Sequence, residues 1–291
     1  MLEILSNKCE AYADDTKILA IIKNFDSILS LQNDIDKVCK WSTDWSTELN
    51  FDKCEILHIG NNNNKFDYDI NSKPLTKSNC EKDLGIYIQS DLKWNTQIKN
   101  STTRANRVLG CIRKSFKYPR PEVIKLLYTS LVRPHFEYAI SSWCPYLEKD
   151  INELEKEQRR ATKLIPELRN LDYSQRLTAL NLTDLRTRRL RGDLIQMYKL
   201  INNFESVDFV NGIKFNSKIS GENKIYNLRR HSQTIVREKT GKCPSRFNFL
   251  TNRIVNNWNQ LTQETIEAKN LNSFKSKIDE WLLKRCSNRL L

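Results

Sequence analysis

Glycine and proline are scarce in this chain, with seven of each in 291 residues. That excludes collagen-like repeats and long flexible linkers. No apolar run near the start exceeds Ile18 to Ile22, far short of a bilayer span. The opening lacks a basic stretch followed by an apolar one, so no secretory signal is expected. Arginine is missing until Arg104. The three histidines (His58, His135, His231) stand apart, and none of the eight cysteines forms a C-x-x-C pair. Zinc needs clustered thiolates or imidazoles, so no zinc site is expected. Reduced thiols in an intracellular compartment, nuclear or cytoplasmic, are the default, with no membrane association.

What is present is charge. The net charge is +13, and it is unevenly placed. Residues 1–90 carry 10 lysines against 15 acids, a net of −5, so residues 91–291 carry +18. A polyanion such as nucleic acid is a natural partner for the second part. Solvated helix faces give the same composition, so charge alone does not choose between the two. The asparagine run Asn61–Asn64 reads as compositional bias.

The pattern predicts an α+β chain in two styles. In the first third, Glu10–Ala13 and Thr16–Ile22 read as strands joined by a tight turn at Asp14-Asp15. A helix follows, capped by Asp26 or Ser27, with Ile28, Leu31, Ile35 and Val38 at helical spacing. Further strands are expected at Glu55–Ile59, Phe66–Ile70 and Leu84–Ile88. From Trp94 the pattern is helical. One helix carries Ile98, Ala105, Leu109 and Ile112, and Pro121 opens the next, which breaks or kinks at Pro134. Asp150 with Glu153 suggests a capping box for Ile151–Ile165, and Leu185–Ile201 is amphipathic. Residues 205–245 read as loop with short strands, and Phe247–Leu261 and Phe274–Leu283 as final helices. The tryptophans Trp94, Trp143, Trp258 and Trp281 read as core.

Tyr12-Ala13-Asp14-Asp15 is the segment that suggests chemistry. Adjacent carboxylates at a hairpin tip repel one another, and a hard divalent ion such as magnesium relieves that repulsion. Taken alone, Asp-Asp is also simply a good turn. Its surroundings add weight: Thr16-Lys17, Trp41-Ser42 with Trp45, Asn50 with Lys53-Cys54 and Leu57, and Lys82-Asp83-Leu84-Gly85-Ile86 with Leu92-Lys93-Trp94. Further on stand Leu131-Val132-Arg133-Pro134, Glu137-Tyr138-Ala139, Trp143, Pro145, Gln158–Lys163, Arg188-Arg189, Asp193-Leu194 and Tyr198-Lys199. The tail carries Arg253, Trp258-Asn259 and Phe274-Lys275. In this order, along nearly the whole chain, the residues resemble the C-terminal part of jockey-type non-LTR retrotransposon (LINE-like) reverse transcriptases.

The resemblance implies a partial polymerase palm over residues 1–92, a helical thumb-like domain over 93–203 and a C-terminal loop and helical region over 204–291. It implies an RNA-directed DNA polymerase that uses Mg²⁺ or Mn²⁺, an RNA template, a DNA primer and deoxynucleoside triphosphates. Asp14 and Asp15 would hold the metal ions. Lys53 would sit near the incoming triphosphate, though it reads equally as a surface lysine after a turn. Asp83, Leu84 and Gly85 resemble the hairpin that grips the primer, where glycine permits close backbone approach.

One departure from the family stands out. Tyr12–Asp15 resembles the catalytic box of such enzymes, which use a further carboxylate upstream of it, and the acids before Tyr12 are Glu3 and Glu10, neither in the family's motif. The expectation is a fragment lacking the fingers and most of the palm, inactive alone, whose first ninety residues form the less stable part. The alternatives are a non-catalytic nucleic-acid-binding module and a decayed reading frame. For binding, Arg104, Arg107, Arg113 and Lys114 lie on the helix after the primer-grip-like segment, and Arg186, Arg188, Arg189 and Arg191 form a denser cluster. Against that stand local pairings of Arg159-Arg160 with Glu155–Glu157 and of Arg189 with Asp193.

Overall fold

A computed structural model describes residues 2–60, 63–117, 120–216 and 231–287. Asn61 and Asn62, at the start of the asparagine run, and part of the 205–245 segment lie outside the described residues. The chain divides into two compact units, Met1–Lys93 and Trp94–Leu291. The first boundary falls one residue from the expected one. The expected boundary at 203/204 does not divide the packing: Leu194, Met197 and Tyr198 share a core with Ile254, Trp258, Phe274 and Ile278.

The first unit is built on one helix, α1 (Phe25–Asp44). Its cap is Asn24, whose Oδ1 accepts from the Ser27 N–H while the Ser27 hydroxyl oxygen accepts from the Asn24 N–H. Asp26 and Ser27, expected as caps, lie inside the first turn. Side chains at helical spacing (Ile28, Leu31, Ile35, Cys39) pack against Tyr68 and Ile70. The buried Asp34 carboxylate takes the Ser6 and Asn7 N–H groups at 2.7–3.0 Å and so ties the start of the chain to α1.

Around α1 the strands pair two by two. β1 (Lys8–Tyr12) and β2 (Asp15–Leu19) form an antiparallel hairpin. β3 (Glu55–Leu57) runs parallel to β6 (Thr76–Ser78), and β4 (Asp69–Ile70) pairs with β5 (Lys73–Pro74). β7 (Cys80–Asp83) and β8 (Ile86–Gln89) form a second hairpin. β5, β6 and β7 were missed in the sequence because two- to four-residue strands show too little alternation.

The second unit is helical. α2 (Asn95–Ser115) buries Ile98, Ala105, Leu109 and Ile112. α3 (Pro121–Leu127) runs into a π-helical turn, Tyr128–Val132, before Pro134 opens α4 (Pro134–Glu137). Proline cannot donate to the carbonyl four residues back. The ladder bond just before it runs from Arg133 N–H to Tyr128 O at 2.8 Å, across five residues. α5 (Glu148–Thr162) starts three residues earlier than expected, so Asp150 lies inside its first turn. α6 (Tyr173–Ala179) has an Asp172 cap, and α7 (Leu185–Ile201) matches its expected span with Asp184 as cap.

The expected Phe247–Leu261 helix is three short ones: α8 (Pro244–Phe247), α9 (Leu250–Arg253) and α10 (Val255–Trp258). Asn252 and Asn259 account for much of this. Asn252 Oδ1 accepts from Glu238 N–H, and the Asn259 amide pairs with both backbone groups of Ile235, so this stretch serves the neighbouring segment. α11 (Gln263–Ile266) and α12 (Leu271–Ser287) complete the unit. Trp143 and Trp258 are fully buried and Trp281 packs on the core, as expected. Among the described residues no helix is long and apolar enough to cross a membrane.

Candidate catalytic hairpin and nucleic-acid interface

The β1–β2 register pairs Tyr12 with Asp15, so the turn is Ala13-Asp14, not Asp14-Asp15 as expected. Ala13 has φ +54°, a left-handed backbone that costs a non-glycine residue free energy. Such positions concentrate at ligand sites and switches. Tyr12, Asp14 and Asp15 are all exposed, so the tip is offered to solvent rather than packed.

Alternation along the strands sorts the hairpin into two faces. Ile18 packs on the α1 core. Glu10, Tyr12, Asp15 and Lys17 share the other face through the pairs Glu10–Lys17 and Tyr12–Asp15. On that face Lys17 Nζ lies 3.2 Å from Glu10 Oε2 and 2.7 Å from Asp83 Oδ2. Asp83 ends β7, and Leu84 and Gly85 form a two-residue turn with φ +45° and +86°. Two positive φ angles fit the mirror-image turn that matches strand twist, and Gly85 supplies one of them without strain. The structure therefore ties the primer-grip-like hairpin to the face of the first hairpin that bears Asp15.

The electrostatics of this face are those of a solvated ion-pair network. Hydrogen bonds from Lys8 and Lys17 hold the Glu10 carboxyl below its ordinary value. Burial alone would lower the Lys17 ammonium, but Asp83 and Glu10 outweigh it and raise it. Glu10 is thus committed to lysines. Lys53 closes a short 3₁₀ turn, Phe51–Lys53, and is exposed. Among the described residues it forms no ion pair with Asp14 or Asp15.

Two adjacent carboxylates are oxygen donors of the kind magnesium takes, usually together with substrate phosphates and water. The donor set therefore fits part of a magnesium site. Among the described residues no group of three or more His, Cys, Asp or Glu side chains gathers as a metal centre.

In the second unit the two arginine clusters separate sharply. α2 carries Lys99, Arg104, Arg107, Arg113 and Lys114 and no acid. All five are exposed. Arg113 and Lys114 suit the negative end of the helix dipole. Arg104 and Arg107 have no such reason; three residues apart, they repel one another and α2 offers no carboxylate to offset it. Arg104 also helps hold His135 below the ordinary histidine value, after burial, which is the larger cause.

The 186–191 cluster is engaged within the protein. Arg188 grips Glu137 through Nε and Nη2 at 2.7 and 2.9 Å. Arg191 grips Asp279 at 2.5 and 2.9 Å, and Arg186 reaches Glu148 at 2.5 Å. Arg189 is buried, with its guanidinium 4.1 Å from the Trp143 ring centre. It does not pair with Asp193, as its spacing suggested. Arg253 takes Asp193 instead, through Nε at 2.8 Å and Nη2 at 2.7 Å. Arg160, not Arg159, pairs with Glu157, while Arg159 lies over the Tyr173 ring. Apart from Glu157, these carboxylates lie 38 to 88 residues away from their arginines, beyond the reach of helical spacing rules. No family model, curated protein or solved structure matches the chain.

Proposed function

We propose that the chain is part of an RNA-directed DNA polymerase of the non-LTR retrotransposon kind, and that by itself it binds nucleic acid without extending a primer. The β1–β2 hairpin is the catalytic strand pair in this reading, and Asp14 and Asp15 are its metal-holding carboxylates. The observation that carries it is the tip itself: two solvent-facing carboxylates on a turn whose alanine has positive φ, tied through Lys17 to a second hairpin. A hairpin selected for stability alone would place glycine or asparagine at that turn position.

Bound magnesium supplies Lewis-acid activation of a primer hydroxyl and charge neutralisation at the leaving pyrophosphate. The residues present contribute two oxygen-donor side chains and an exposed approach. Lys17 orients the face beside Asp15 and fixes the turn of Asp83, Leu84 and Gly85 against it. Glu10, which shares that face, is neutralised by Lys8 and Lys17 and is not offered as a further ligand. That is the physical ground for an inactive fragment.

The second reading, a nucleic-acid-binding module without catalysis, has its own support in the acid-free, exposed basic face of α2. Phosphate contacts from such a face are strong, salt-sensitive and sequence-tolerant.

The test is primer extension on an RNA template with Mg²⁺ or Mn²⁺, run beside a binding titration of the same primer–template. The expected result is salt-sensitive binding and no incorporation. Robust incorporation abolished by Asp14→Ala overturns the inactivity. Absence of binding at low salt removes both readings.

A further inference from the structure

In the second unit, the stretch from Val236 to Phe249 carries Arg237, Lys239, Lys242 and Arg246 against one carboxylate, Glu238. Arg246 takes that carboxylate: its Nε and Nη2 donate to Glu238 Oε2 at 2.9 and 2.8 Å, which fastens α8 to the chain ahead of it. Arg237, Lys239 and Lys242 form no ion pair among the described residues. Both lysines are exposed. Lys242 sits in a turn, Thr240 to Cys243, closed by Cys243 N–H to Thr240 O at 3.2 Å. Gly241 takes φ +54° in that turn, which glycine meets without strain. Asp208 and Lys214, exposed on the adjoining segment, offset one another, so the surplus of positive charge stands.

Two phenyl rings lie among these cations. Phe247 and Phe249 are 43% and 40% exposed. Each has a guanidinium over its ring, Arg237 at 4.8 Å from the Phe247 centre and Arg246 at 5.9 Å from that of Phe249. Phe209 meets Phe249 nearly at right angles, with 6.0 Å between centres. The rings are therefore held in place but not covered. A ligand that suits them needs flat apolar faces and negative charge together. A nucleic-acid strand with unpaired bases has both, whereas a duplex offers its phosphates and keeps its base faces stacked inside. An anionic membrane also attracts cations, but α8 has four residues and forms no amphipathic helix to lie in one.

We propose that Phe247 and Phe249, with Arg237, Lys239 and Lys242, form a binding site for single-stranded RNA or DNA. Bases stack on the two rings, and the backbone phosphates meet the three cations. The site goes beyond the reading above: it uses no residue of the β1–β2 hairpin or of α2, and it stands whether or not those bind.

Fluorescence anisotropy on the full chain tests it with short oligothymidylate, oligouridylate, an abasic strand of the same length and a duplex. The two strands with bases should bind at least about tenfold more tightly than the abasic strand, whose phosphates are the same. Phe247→Leu with Phe249→Leu should remove that difference and leave abasic and duplex binding unchanged. Lys239→Gln with Lys242→Gln should lower the slope of log affinity against log salt by about 1.4 for oligothymidylate, about 0.7 for each cation. Tighter binding of oligouridylate identifies RNA as the ligand, and tighter binding of oligothymidylate identifies DNA; both support the site. Ultraviolet cross-linking of the unaltered chain to oligothymidylate, followed by trypsin, should mark the peptide from Phe247 to Arg253, which holds both rings. Equal binding of abasic and base-bearing strands, or cross-links confined to other peptides, overturns the proposal even where a variant does not fold. So does ring-dependent binding to phosphatidylserine vesicles by a chain whose strand binding ignores the rings. Loss of duplex binding alone counts against α2 and leaves this site in place.

Discussion

Replacing Arg104, Arg107, Arg113 and Lys114 together by glutamine isolates the interface on α2. The first and last of these positions lie 10 residues apart on the helix, about 15 Å at 1.5 Å per residue, which is less than half a turn of duplex. Each cation that meets a duplex phosphate contributes about 0.9 to the slope of log affinity against log salt. Four contacts therefore account for about 3.6 of that slope. At about 0.1 M salt the variant should bind a primer–template duplex roughly three decades more weakly than the parent. Its melting temperature should change little, because among the described residues none of the four side chains forms an ion pair, and relief of the Arg104–Arg107 repulsion offsets the lost interaction of Arg113 and Lys114 with the helix dipole. The control is Arg188→Gln with Arg191→Gln, which breaks two bidentate pairs, on Glu137 and Asp279. That variant should lose stability and keep the parent slope. Fluorescence anisotropy over a salt series, with thermal melts of all three proteins, supplies the readout. An α2 variant that keeps the parent slope refutes the reasoning. So does an α7 variant that loses slope without losing stability.

Two further outcomes follow from the buried charges. Asp193→Ala leaves Arg253 charged in a buried site, and urea unfolding should show a loss of about 3–5 kcal/mol, the range for breaking a buried pair. All three histidines are held below their ordinary value of 6.5, each first by burial, with His231 also donating to the Trp258 carbonyl. A depressed histidine resists protonation in the fold and accepts it when unfolded. Stability is therefore full above pH 6.5 and declines as pH falls below it; melts between pH 5 and 8 that show no decline on the acid side contradict this.

The long amphipathic helices were legible because each has an unbroken apolar stripe. α7 begins at its capping aspartate, Asp184, and ends where Asn202 interrupts it, and both signals are local. The hairpin was legible as a hairpin but misplaced by one residue, since nothing in the letters Ala-Asp-Asp says that the alanine takes the positive φ. The 247–261 stretch was illegible for another reason. Its apolar spacing is helical, but Asn252 and Asn259 are committed to residues 14 and 24 positions away. The arginine cluster at 186–191 shows the same limit at a site. As sequence it is a dense basic patch, and the carboxylates that neutralise it arrive from α4, α5 and α12.

Among the described residues of the first unit, every ladder has two members, so no strand is flanked on both sides. Each strand keeps one rim of amide and carbonyl groups turned outward, an invitation to lateral addition by another chain. Lys8, Lys17, Lys73, Lys77 and Lys82 sit on five of these strands, and Pro74 on one. An ammonium stalk and a missing donor both discourage a neighbour from docking edge to edge. The ten lysines and no arginines of residues 1–90 then have a colloidal meaning. Those on the strands guard the unpaired rims, and replacing Lys8, Lys17, Lys73, Lys77 and Lys82 by valine should turn this end of the molecule into the part that clumps first.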